Sequence, residues 1–416
     1  LANLETGELS KLNESKFGGT PDGSNEHKTR FILSEGYGAG DVVLFHFNLG
    51  AEKPTTLLGT PMAERKPGDP LRTYNVGNCH FIRNETGLLL GTSEFEDTYG
   101  LAYLSFANPE DLKPIPVDGI QHEGVGELEE IRHLTGNSYL LVYNIDGSSW
   151  AYEATLDEAN LTMRIDHLLC GQGELADGVL ESIQYNKVQD EYALSFSTAV
   201  SPTQLYTISG QKRERCQQHT RERILGLPRK SLSPGEDYPF TSYDGLRISA
   251  RLYLPADELG YEGPRPLVYY IHGGPQGQER PDFAWFSMPF IQFLALNGFA
   301  VFVPNVRGST GYGFSYMKHV VRDWGGADRL DHVHAMTELL PKDKRIDTTR
   351  AGVVGRSYGG YMTLTLASRH PELWSAAIDM FGPYDLLTFA SRVPETWKPF
   401  IKMLVGDPET EQVFMR

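Results

Sequence analysis

Four segments in the first half of the chain repeat one pattern: a short run of β-branched and aromatic residues, a turn with glycine or proline, then a second run of alternating apolar residues. They are FILSEGYGAGDVVLFHFNL from Phe31, LLLGTSEFEDTYGLAYLSF from Leu88, YLLVYNIDGSSWAYEATL from Tyr139 and YALSFSTAVSPTQLYTIS from Tyr192. The first runs start 57, 51 and 53 residues apart, and an aromatic in the second run (Phe45, Tyr103, Tyr152, Tyr206) recurs at 58, 49 and 54. Alternation between turns predicts antiparallel strands with one face buried. A period near 50 residues, with more chain per unit than one hairpin uses, predicts β-propeller blades rather than an evenly spaced β-sandwich. Ser15–Lys28 (SKFGGTPDGSNEHK) is too polar and glycine-rich to pack, and reads as an exposed loop.

The charge is uneven. Residues 1–234 carry 20 Lys and Arg against 33 Asp and Glu, whereas 235–416 carry 18 against 21. The polar, proline-punctuated stretch Leu227–Pro239 (LPRKSLSPGEDYP) lies at the change and reads as a crossing between domains, 1–230 and 231–416. A net charge of −16 argues against a general nucleic-acid binder, which needs a basic footprint. Cys79, Cys170 and Cys216 are too few and scattered for a disulfide scaffold or metal site, and read as buried or half-buried free thiols in a reducing compartment. No apolar run has the length of a membrane span, and the first residues, LANLETGELSKL, lack the apolar core of a signal peptide. A cytoplasmic protein is expected, although a chain that starts with Leu suggests that something precedes it. The sequons at Asn13, Asn84 and Asn160 then read as chance matches. No GxGxxG, HExxH or CxxC pattern appears, so no cofactor and no metal are implied.

From Tyr243 the texture changes. Runs apolar on both faces, LVYYI and FAVFVPNV, alternate with helical stretches FSMPFIQFLALNGF and ADRLDHVHAMTELL. That pattern predicts a doubly wound, mostly parallel sheet with helices on both sides. The third unit, AGVVGRSYGGYMTLTLASRHPELW, contains Gly355-Arg356-Ser357-Tyr358-Gly359, a GxSxG motif between the strand Ala351–Val354 and a helix over Tyr361–Ser368. Glycines two residues either side of Ser357 let helix and strand approach. The strained turn lifts the serine hydroxyl to a helix N-terminus, where a developing anion is favoured. Ser357 is the candidate nucleophile, with Gly355 and Gly359 as supports of the turn. His272-Gly273-Gly274-Pro275 follows a buried strand, and its glycines free a backbone N–H for a tetrahedral oxyanion. Gly274 and Tyr358 are the candidate donors. His272 precedes the serine by 85 residues, whereas α/β-hydrolases run Ser, Asp or Glu, then His, so it reads as orienting the loop.

On these phrases the second half resembles the catalytic domain of the prolyl oligopeptidase family of serine peptidases, closest to its acylaminoacyl-peptidase and dipeptidyl-peptidase-like branch. SYDGLRISARLYLP, YIHGGPQ, VPNVRGSTGYG, GVVGRSYGGYM, GPYDL and LVGDPE match over about Tyr238 to Glu409. YNIDGSSWAYEATL and SPTQLYTI are similar to the family's propeller strands. The resemblance implies an N-terminal, partial β-propeller capping an α/β-hydrolase domain, a nucleophile at Ser357, oxyanion donors at Gly274 and Tyr358, and short peptides as substrates, with no nucleic acid and no membrane as partners. Arg307, Asp323 and Asp331 match recurrent charged positions near the site, where a structural ion pair or helix cap explains them equally well.

A serine hydroxyl needs a general base held by a carboxylate. After Ser357 the one histidine is His370, 13 residues on and roughly 20 Å away at 1.5 Å per helical residue, so it reads as the helix end. Asp379, Asp385 and Asp407 follow without a later histidine. In the family the catalytic Asp and His lie past the position of Arg416, so the chain reads as a C-terminally truncated fragment, inactive alone, of a peptidase acting through an acyl-enzyme. A carboxylesterase on the same scaffold and a non-enzymatic binding module are the alternatives. Glu129-Glu130 would suit capture of a peptide amino terminus, but reads more simply as solvated charge.

Overall fold

Alternating side chains in the first half serve two interfaces at once, because successive residues of a strand point to opposite faces. A computed structural model describes residues 1–416 apart from 1, 10, 12, 13, 16, 18, 67–73, 225, 284, 285 and 413–416. Its first half is four antiparallel sheets. The first comprises β1 (Gly19–Ser24), β2 (Arg30–Gly38), β3 (Asp41–Asn48) and β4 (Thr55–Leu58), and the second β5 (Val76–Ile82), β6 (Gly87–Thr92), β7 (Gly100–Ser105) and β8 (Asn108–Ile115). The third takes a parallel outer strand, β9 (Val117–Asp118), beside β10 (Gly126–Thr135), β11 (Ser138–Ile145), β12 (Ser148–Asp157) and β13 (Thr162–Cys170). The fourth is β14 (Gly178–Asn186), β15 (Glu191–Thr198), β16 (Ser201–Ser209) and β17 (Arg215–Gln218).

These are blades of a β-propeller, and each repeated sequence segment is the middle hairpin of one blade. Leu88 and Leu90 pack with Ile32 and Leu44 between the first and second blades. Leu89, between them in sequence, packs with Leu141 and Tyr152 toward the third blade. Leu140 continues to the fourth with Leu194 and Phe196. Among the repeating aromatics, Tyr103, Tyr152 and Tyr206 sit in these layers, and Phe45 lies in a cluster of the first blade.

The expected loop over Ser15–Lys28 is corrected by β1, which occupies Gly19–Ser24 and pairs with β2. Its ladder is made by backbone groups, which need no apolar side chain, and its glycine serves packing. A Cβ on Gly23 would lie 2.1 Å from the Cys79 carbonyl oxygen in β5. Cys79 and Cys170 are buried free thiols, whereas Cys216 is exposed rather than half-buried. Asn84 and Asn160 lie at turns after β5 and β12, and Asn13 lies outside the described residues. Leu227–Pro239 is polar but docked: Ser233 N–H donates to Gln292 Oε1 at 2.8 Å, and Gln292 Nε2 donates to Ser233 O and to Ala199 O of the fourth blade.

The second half builds one mixed sheet from β18 (Glu236–Asp237), β19 (Phe240–Thr241), β20 (Arg247–Tyr253), β21 (Arg265–Ile271), β22 (Ala300–Asn305), β23 (Ile346–Arg356) and β24 (Ala376–Met380). Its order is β18-β20-β22-β21-β23-β24, with β22, β21, β23 and β24 parallel and β20 antiparallel. This is the α/β-hydrolase arrangement, with helices α1 (Ser287–Leu296), α2 (Phe314–Lys318), α3 (Ala327–His334), α4 (Tyr358–Arg369), α5 (Leu386–Arg392) and α6 (Lys398–Leu404). Over ADRLDHVHAMTELL the α-helix stops at His334 and continues as a π-turn over Ala335–Leu339. β24 ends the sheet with its outer edge unpaired among the described residues, and Ile378, Phe381 and Tyr384 are exposed beside it. Among the described residues no helix is long and apolar enough to cross a membrane.

Candidate active site

β23 runs straight into α4 through a single residue, Ser357, whose backbone is at φ 57°, ψ −119°. A non-glycine residue there is strained and persists only where its surroundings hold it. Ser357 N–H donates to Met380 O of β24 at 2.9 Å, and Ser357 O accepts from Tyr361 N–H. The glycines close the turn. A Cβ on Gly355 would meet Gly359 O at 2.3 Å, and one on Gly359 would meet Ile271 O at 2.1 Å. The Ser357 side chain is exposed and does not cap its own helix. α4 is longer than the expected Tyr361–Ser368 and begins at Tyr358, whose N–H has no partner within the helix.

The HGGP segment lies against this turn. A Cβ on Gly273 would stand 3.4 Å from Ser357 Cβ and 3.1 Å from Arg356 O. Gly274 has φ +136°, and a Cβ on it would meet Gln276 N at 2.7 Å, so only glycine fits. The structure therefore brings together Ser357, Tyr358, Gly355, Gly359 and the Gly273-Gly274 pair. His272 is buried and committed elsewhere: Nδ1 is 2.7 Å from Gly273 O and Nε2 is 3.0 Å from Ser309 Oγ. Burial pushes its pKa down. It thus steadies the HGGP loop, as expected from its place in the chain.

The remaining candidates are structural. Arg307 is buried between two carboxylates, donating to Asp331 at 2.7 Å from Nε and Nη2 and to Asp244 at 2.8 and 2.9 Å. Asp323 accepts from Ala327 N–H at the start of α3. His370 ends α4 and contacts Arg329. Asp379 accepts from Gly382 N–H, Asp385 caps α5, and Asp407 closes a turn by accepting from Glu409 N–H. Glu129 is not simply solvated. It accepts from Asn144 and Arg280, and only Glu130, paired with Arg132, behaves as ordinary surface charge.

Two buried carboxyls near the site went unseen, because no spacing marks them. Asp328 accepts from the Tyr358 hydroxyl, and burial raises its pKa to about 6. Glu279, just after HGGP, accepts from Ser287 Oγ, and burial raises it to about 7. The unfolded chain ionises Glu279 near 4.5, so stability falls as pH rises from there to about 7, by about 3 kcal/mol. Glu279→Gln keeps an acceptor for Ser287 and removes that penalty. Its melting temperature should exceed the parent's at pH 8 and match it at pH 4.5; equal melting at pH 8 contradicts the assignment.

Comparison with known proteins points to a family and a fold. The model of the Prolyl oligopeptidase family matches residues 284–416. The uncharacterized peptidase YuxL of Bacillus subtilis is 32% identical over 189 residues, covering 44% of this chain and 27% of that protein. Dipeptidyl-peptidase 5 of Porphyromonas gingivalis is 28% identical over 252 residues, covering 57% and 35%. The chain thus spans about a third of the length of these relatives. A puromycin-hydrolyzing peptidase of Mycobacterium tuberculosis superposes with a TM-score of 0.74 at 17% identity, over 99% of this chain and 60% of that one. The family's model thus covers the part of the chain that carries Ser357, residues 284–416, and the relatives similar to this chain are peptidases.

Proposed function

We propose that the full-length protein hydrolyses short peptides through an acyl-enzyme on Ser357, in the manner of the dipeptidyl- and acylaminoacyl-peptidase-like branch. The observation that carries this reading is the exposed, strained Ser357 at the head of α4, with Gly273 packed against it. Ser357 Oγ attacks the scissile carbonyl and gives its proton to the base. The carbonyl oxygen becomes an anion that accepts from Gly274 and Tyr358 N–H, a type of contact worth about 3–4 kcal/mol per donor. Collapse breaks the C–N bond, and the departing amine takes the proton from the base. Water then attacks the ester by the same route in reverse and frees Ser357.

His272 is committed to Gly273 and Ser309, and His370 stands at the far end of α4, so neither is placed to act as the base. In this proposal residues 1–230 form the propeller domain and 231–416 the nucleophile-bearing part of the hydrolase. The propeller limits substrates to short chains, which favours a peptidase over an esterase that needs an open apolar surface. The relatives described as dipeptidyl-peptidases support the same substrate class. A fluorophosphonate probe on the full-length protein should label Ser357, and aminoacyl-anilides should turn over faster than fatty-acyl esters. Absence of labelling, or labelling that survives Ser357→Ala, overturns the proposal.

A further inference from the structure

Gly273, Gly274 and Gly277 leave the loop beside Ser357 with few side chains to fix its own shape, so its position must be imposed at its ends. One end is β21. The other is the segment Gln278–Asp282, and its polar side chains reach across to the propeller. Asn144 Nδ2 of β11 donates to Gln278 Oε1 at 2.6 Å. Arg280 spends its guanidinium on the third blade: Nε donates to Gly147 O at 2.9 Å, Nη2 to Ser149 Oγ at 2.9 Å, and Nη1 to both Glu129 oxygens at 3.2 Å. Asp282 Oδ1 accepts from Ser197 Oγ of the fourth blade at 2.7 Å. The hydrolase holds the same segment from its other side, through Asn305 on the backbone of Glu279 and Tyr312 on Gln278. A propeller that only restricted entry would need steric contact alone. This one makes a directed hydrogen-bonded seat, and the Glu129 carboxylate orients its arginine.

We propose that Glu129 and Arg280 are positioning residues, through which the third blade seats the glycine loop beside Ser357. The proposal rests on the reading of Ser357 and Gly274 given above. The test uses the full-length protein with Arg280→Met, Arg280→Lys and Glu129→Gln. It measures kcat and KM on matched dipeptidyl-anilides with free and acylated amino termini, the rate of Ser357 phosphonylation, and amide exchange over residues 272–282.

Arg280→Met and Glu129→Gln should lower kcat on both substrates, and slow phosphonylation, by one common factor of about 10- to 100-fold, the scale of a small misplacement of reacting groups. Arg280→Lys, which keeps a cation for Glu129, should recover part of the loss, and exchange over 272–282 should speed up in the two disruptive variants. Unchanged kinetics, or a KM increase confined to free-amine substrates, overturns the proposal; the latter would make Glu129 an amine anchor. If the parent protein is not phosphonylated, it is the Ser357 reading that fails, and exchange alone decides the seat, with unchanged exchange overturning it. Should Arg280→Met fail to fold, Glu129→Gln, at a half-exposed carboxylate, carries the same readouts.

Discussion

Ser357→Ala in the full-length protein is expected to lower kcat by about 10⁶-fold with no loss of thermal stability. The two halves of that expectation have separate physical grounds. In the proposed mechanism the hydroxyl forms the acyl bond, so its removal ends covalent catalysis. Its side chain is exposed and does not cap α4, and the backbone bonds from Met380 and to Tyr361 do not involve it, so folding has little to lose. Residual turnover of about 10³- to 10⁴-fold over water should persist, because the Gly274 and Tyr358 N–H groups are untouched. A variant that melts earlier but keeps its turnover would make Ser357 a structural turn and sink the assignment.

Arg307→Met is expected to destabilise by about 3–5 kcal/mol. Asp331 has no exposed surface, and Arg307 is nearly as buried. Burial pushes the Asp331 carboxyl up while the guanidinium pulls it back, so removing the arginine leaves an uncompensated buried charge. That charge can be relieved by protonation, so the deficit should shrink as pH falls from 7 toward 4. Arg307→Met combined with Asp331→Leu should recover part of the loss, since the buried carboxylate goes with its arginine while Ser242 and Asp244 lose a partner. Chemical denaturation of the four proteins in this cycle measures the coupling; additive losses would show that the pair does not act as a unit.

What could be read in advance depended on how local each constraint is. The blade hairpins were legible because Leu88, Leu89 and Leu90 declare their two interfaces within three residues. Ser357 was legible because the glycines that its turn needs stand two positions away. β1 was not, since Gly19–Ser24 joins its sheet through backbone bonds and contributes almost no apolar side chain. The Glu129–Arg280 seat was invisible for another reason. Its partners are 151 residues apart, and a carboxylate carries no mark of which cation the folded chain will bring to it. Asp328 and Glu279 were missed likewise, because burial, not spacing, makes them unusual.

The edge of β24, unpaired among the described residues, has a cost in the life of the polypeptide. A strand with an open ladder, flanked by exposed Ile378, Phe381 and Tyr384, is an adhesive surface for any other extended chain. Residues 1–416 produced by themselves present that surface to every neighbouring copy, so their solubility should drop steeply with concentration.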